Sequence, residues 1–95
     1  MQDYLLDAAC EQWPSIRLMY DRFRDKRPVM LFDIQEQRIY AYPYAEFRKD
    51  LSKRSQRSLK VQYERATQEN KVVVFVRDNE RRAMVSFSMD YDDYD

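Results

Sequence analysis

Arg38, Tyr40 and Tyr42 stand at alternate positions of the segment Arg-Ile-Tyr-Ala-Tyr, and in an extended chain residues at that spacing project from one side. Arginine and tyrosine are the residues that protein interfaces concentrate at their most energetic positions, and tyrosine rings also stack on bases. An uncovered side of this strand would therefore be a contact platform, and these three residues are the candidate protein-binding site. The competing reading packs Tyr40 and Tyr42 into the core with their hydroxyls at its rim.

A second constellation is cationic. Residues 48–65 hold Arg48, Lys49, Lys53, Arg54, Arg57, Lys60 and Arg65 against only Asp50 and Glu64, with Ser52, Ser55 and Ser58 interleaved. Cations and hydroxyls together are what phosphate contacts use, so Arg48, Lys49, Lys53, Arg54, Arg57 and Lys60 are the candidate nucleic-acid site. If the segment is helical, however, the same residues form its solvated side, and specific binding also calls for aromatic rings beside the charge.

Catalytic chemistry has little to build on. The chain contains no histidine and no glycine. The first absence removes the usual general base and metal ligand, and the second removes standard phosphate loops, dinucleotide fingerprints and nucleophile elbows. Cys10 lies in Asp-Ala-Ala-Cys-Glu, and neighbouring acids oppose the thiolate that a reactive cysteine needs. Asp33 is the one acid inside an apolar run, where burial would raise a carboxyl's pKa; a strand-end or turn role is the simpler expectation. The terminal Met-Asp-Tyr-Asp-Asp-Tyr-Asp has the spacing of half a calcium loop without its glycine or its distal glutamate. No catalytic residue, metal ligand or cofactor is assigned.

Composition bounds the rest. Ninety-five residues with 44% apolar and 36% charged content make one folded domain, residues 1–95, large enough for a core without crosslinks. Acids and bases both number 17, so no overall field draws the chain to nucleic acid or lipid. A single cysteine fits a reducing compartment, residues 1–13 carry acids and no cation, the reverse of a signal peptide, and no apolar run approaches a membrane span. The expected location is the cytoplasm, with no membrane contact.

The positioning elements follow from periodicity. Ile16, Met19, Tyr20 and Phe23 give residues 15–27 a helical stripe, with Ser15 as the N-cap and Pro28 as the stop. Residues 3–12 make a separate extra helix, because Pro14 should interrupt a continuous rod. Residues 29–34 and 38–42 read as strands joined through Gln35, Glu36 and Gln37. Pro43 opens a new helix supported by Phe47 and Leu51. Residues 58–64 fit either helix or strand, with helix preferred and Asn70 as a left-handed cap. Val72, Val73, Val74, Phe75 and Val76 form a strand that turns at Asp78 and Asn79 into residues 81–89, and residues 90–95 form a frayed acidic tail.

The expected fold is thus α+β: helix-hairpin-helix-hairpin (αββαββ) with a four-stranded antiparallel sheet covered on one face by helices. The two halves read alike in outline, without residue identity enough to claim a repeat. The expected function is a small non-enzymatic cytosolic protein that binds another protein, or itself as a homodimer; the alternative is an RNA- or DNA-binding module using residues 48–65.

Overall fold

The computed structural model describes residues 3–92. The first helix, α1 (Asp3–Arg22), buries Leu5, Ala9, Trp13, Ile16 and Tyr20, whose spacings of three and four residues line one side of a helix. The expected interruption at Pro14 does not occur, and Ser15 lies inside the helix rather than capping one. Pro14 and Cys10 both face outward, so the Cys10 carbonyl that loses its helical partner is left to water rather than buried. A short 3-10 turn (Arg24–Lys26) and Arg27, held in the left-handed region at φ 46°, then carry the chain into the sheet.

The strands are β1 (Val29–Asp33), β2 (Arg38–Tyr42), β3 (Lys71–Asp78) and β4 (Ala83–Asp90), in spatial order β2-β1-β3-β4. β1 pairs antiparallel with β2, and β3 antiparallel with β4. The central pair, β1 and β3, is parallel, with Leu31 beside Phe75. The sheet is therefore mixed, not wholly antiparallel as expected. The reason lies in the connection, because a helical crossover between hairpins returns the chain to start its next strand in the original direction.

That crossover is two helices rather than one, α2 (Tyr44–Lys49) and α3 (Lys53–Gln68). Ser52 separates them: its hydroxyl accepts the Ser55 N–H at 3.2 Å and starts α3 afresh. The ambiguous residues 58–64 are helical, and Asn70 takes the left-handed conformation after α3 at φ 56°. The element order becomes αββααββ.

Helices cover both faces of the sheet, which corrects the one-face expectation. On one face α1 packs Leu5, Trp13 and Ile16 against Met30, Phe32, Val72, Val74 and Val76. On the other, α2 and α3 bring Phe47, Leu59, Tyr63 and Ala66 over Val29, Leu31, Val73 and Phe75. Every residue of β1 is buried, as a strand covered on both sides requires. Each fully buried aliphatic side chain contributes about 1.5–3 kcal/mol.

The two hairpins are built alike. Each has a four-residue loop, 34–37 and 79–82, entered from an aspartate that ends a strand, Asp33 or Asp78. Each loop closes on a left-handed residue, Gln37 or Arg82, both at φ 52°. The positive φ thus falls on Arg82 and not on Asp78 or Asn79, and a non-glycine residue there costs about 1–2 kcal/mol. Advancing by one hairpin carries Asp33 onto Asp78 and Met30 onto Phe75, which lie on opposite faces. A two-fold rotation about an axis along the strands between β1 and β3, combined with a one-residue shift along it, has that effect, and it also sends α1 and α3 to opposite faces.

Candidate functional site

Strand register places side chains in rows across the sheet. On the α2 and α3 face, the row nearest the hairpin loops runs Arg38, Asp33, Arg77, Met84, and the next runs Tyr40, Leu31, Phe75, Ser86. Asp33 is fully buried, and both of its oxygens are used. Oδ1 accepts the Glu36 N–H at 2.8 Å, and Oδ2 accepts Arg77 Nε at 2.8 Å and Asn79 Nδ2 at 3.2 Å. The backbone hydrogen bond from Glu36, assisted by the Arg77 guanidinium, outweighs burial and holds the carboxyl below its ordinary range. Asp33 is a strand-end ion that caps its own turn.

Asp78 does the same in the second hairpin. Its Oδ1 accepts Gln35 Nε2 at 2.7 Å and the Glu80 and Arg81 N–H groups, and its Oδ2 accepts the Tyr4 hydroxyl at 3.0 Å. The Gln35 bond is the largest influence lowering its pKa. Gln35 Oε1 in turn accepts the Asn79 N–H at 2.8 Å, so each loop holds the other. Asp33 accepts three hydrogen bonds and Asp78 four, and both carboxyls are held low, the opposite of a raised-pKa general acid.

The three residues singled out on β2 lie beside this junction. Arg38 is exposed; Tyr40 and Tyr42 are half-buried and stack with ring centroids 5.8 Å apart. Tyr42 tilts against Phe47 at 5.7 Å, and Phe47 against Phe75 at 4.6 Å. The Tyr40 hydroxyl donates to Glu36 Oε1 at 2.8 Å, and that bond, with partial burial, holds the phenol above its ordinary range. The arrangement combines both sequence readings: the rings border the core, and the hydroxyl stays at its rim.

Where α2 ends, the sheet is incompletely covered. A groove of about 300 Å³ opens there, lined by Leu31, Tyr42, Phe47, Leu51 and Met84, with Glu46, Asp50 and Arg77 at its polar margin. Met84 is 42% exposed and also borders a second groove of about 200 Å³ under Ser55, Leu59 and Gln62. Glu46, Asp50, Arg77 and Met84 were not identifiable from sequence. Arg77 and Met84 join Arg38 only through the parallel β1–β3 pairing, which no local pattern announces.

The cationic segment divides differently. Arg48 and Lys49 end α2, and Lys53, Arg54, Arg57 and Lys60 lie along α3, all six exposed. Arg48 donates to Gln56 Oε1 at 3.0 Å. The aromatic residues of this stretch turn to the sheet: Tyr44 stacks on Tyr63 at 4.3 Å, and the Tyr63 hydroxyl donates to the Arg27 carbonyl. Charge and rings are thereby separated.

At the other end of β4, Asp90 is still in the strand and Tyr91 is buried, so order extends through the beginning of the acidic stretch expected to fray. Residues 93–95 lie outside the described residues. Tyr91 donates its hydroxyl to Asp21, and the guanidinium groups of Arg17 and Arg24 lie 4.4 and 4.8 Å from its ring centre. Cys10 is exposed. Among the described residues no group of three or more histidine, cysteine or acidic residues is placed to hold a metal, and no helix is long and apolar enough to cross a membrane.

Compared with protein-family models, curated proteins and solved structures, the chain matches none, so the functional argument rests on its own geometry.

Proposed function

We propose that the chain is a non-catalytic cytoplasmic protein-binding module, an adaptor, inhibitor or assembly factor, whose groove beside α2 takes an apolar side chain of another protein. The observation that carries this reading is the groove itself, an apolar floor of Leu31, Tyr42, Phe47 and Leu51 with Met84 as a pliable wall. Arg38, Tyr40 and Tyr42 form its strand-side approach, with Arg38 exposed to meet a partner. Glu46 and Asp50, one helical turn apart at its margin, favour a ligand with lysine or arginine beside the apolar anchor.

The multiply bonded, low-pKa carboxylates of the hairpin junction support contact rather than catalysis. The nucleic-acid reading ranks lower, because Arg54, Arg57 and Lys60 share the outward side of α3 with Val61 and Glu64 while the rings of that segment point inward.

Selection of a displayed random-peptide library on the folded protein tests the reading. Enriched peptides should share a bulky apolar residue flanked by basic ones, and Met84→Glu should weaken their binding more than about tenfold while leaving the melting temperature nearly unchanged. Failure to enrich any sequence, or binding indifferent to both Met84→Glu and Tyr42→Ala, would falsify it.

A further inference from the structure

β4 ends the sheet order β2-β1-β3-β4, so among the described residues it has a strand neighbour on one side only. Such an edge turns every second N–H and C=O outward, and proteins usually blunt it with shortness, charge or proline. β2, the opposite edge, is blunted in all three ways: it has five residues, opens with Arg38 and is followed by Pro43. β4 has eight residues, and its run 83–89, Ala-Met-Val-Ser-Phe-Ser-Met, carries neither charge nor proline. Met84 is exposed on one side of it, and Val85 and Phe87 are only half-buried on the other.

We propose that β4 pairs antiparallel with β4 of a second copy of this chain, about a two-fold axis at Ser86, so that one sheet runs continuously through both copies. Charge complementarity selects the copy and the register. With Ser86 opposite itself, the charge-free run lies on itself, and the charges that bracket it approach: Arg82 of each copy, the last loop residue before β4, comes level with Asp90 of the other. The symmetry makes this ion pair twice. Val85 then falls opposite Phe87 on the α1 side, which extends the apolar strip across the junction.

Sliding by one side-chain repeat in one direction carries Asp90 past the start of β4 to the level of the 79–82 loop, and in the other sets Asp90 against Met84, so both neighbouring registers lose the match. Asp90 already has a loose contact with Lys71, 3.8 Å with both groups half-buried, and a carboxylate can accept a further donor.

Met84 and Ser86 of β4 also border the grooves, so the test uses Arg82, Val85 and Asp90, which line neither. Sedimentation equilibrium of the full chain tests the pairing. The wild type should sediment at twice 11.7 kDa at about 100 µM, and Val85→Lys, a charge set into the edge, should return it to the monomer mass with circular dichroism unchanged. Arg82→Glu and Asp90→Arg, which leave the apolar strand intact, should each weaken the dimer about tenfold, and the double variant should restore it. A wild type that remains monomeric at about 1 mM overturns the proposal. So does a dimer that ignores Val85→Lys, and a double variant no tighter than either single one overturns the register.

Discussion

On one face of the sheet α1 lays down Leu5, Ala9, Trp13, Ile16 and Tyr20, none more than 9% exposed. On the other face the cover is divided between α2, which has no buried residue, and α3, which has Leu59 and Ala66. The difference is one of helix length. Twenty residues span about 30 Å, enough to cross an eight-residue strand from end to end. The break before α3 leaves Phe47, Leu51 and Tyr42 half-buried and the hairpin end of the face open. The α1 face is thus closed over β1 and β3, and the other keeps a recess with apolar walls.

Truncations on the two faces are the most forceful way to break that contrast. Trp13→Ala should cost about 4 kcal/mol, because it empties a fully enclosed site, whereas Phe47→Ala, at a site that already borders solvent, should cost about half as much. Urea denaturation of both variants gives the comparison directly, and equal losses would show that the second face is as closed as the first.

The hairpin junction separates the faces' contributions from that of the sheet end. Asp33→Ala strips the cap from the first loop and leaves the Arg77 guanidinium without its buried anion, an expected loss of about 3 kcal/mol. The same group sets a pH dependence. Its folded pKa lies below the unfolded value of about 3.9, so the unfolded chain takes up the proton first. The stabilisation is complete above about pH 4 and is lost as pH falls through the folded value. Melting temperature should therefore drop on acidification below about pH 4, with a shallower slope in Asp33→Asn; an unchanged slope would assign the acid sensitivity elsewhere.

The smallest expected effect belongs to the far end of the closed face. Tyr91→Phe removes the hydroxyl that bonds Asp21 but keeps the ring between Arg17 and Arg24, and should cost about 1 kcal/mol. A thermal shift as large as that of Asp33→Ala would mean that the hydroxyl, not the ring, anchors this segment.

Much of the element order was legible, because β1 and β3 are unbroken apolar runs and α1 carries a clear stripe. The same runs also carry the sign of a sheet covered on both sides. Val72, Val73, Val74, Phe75 and Val76 in succession imply burial on both sides, which one layer of helices cannot provide. Local propensity makes Pro14 a helix break because it does not reveal that the residue faces solvent. The aspartates were legible as turn residues, but not as partners, since Asp33 and Arg77 are 44 residues apart and meet only across a parallel pair. Alternation alone puts Arg38, Tyr40 and Tyr42 on one side of β2, whereas bringing Met84 and Arg77 into line with them takes the register that pairing creates.

The parallel seam between β1 and β3 also governs how the chain reaches this structure. Both hairpins close through local loops, but bringing Met30 beside Val74 closes a far longer one, at an entropic cost on the order of 3 kcal/mol before either core exists. Closing the seam is therefore the step expected to limit the folding rate, since β1 and β3 bury their apolar side chains only once it forms.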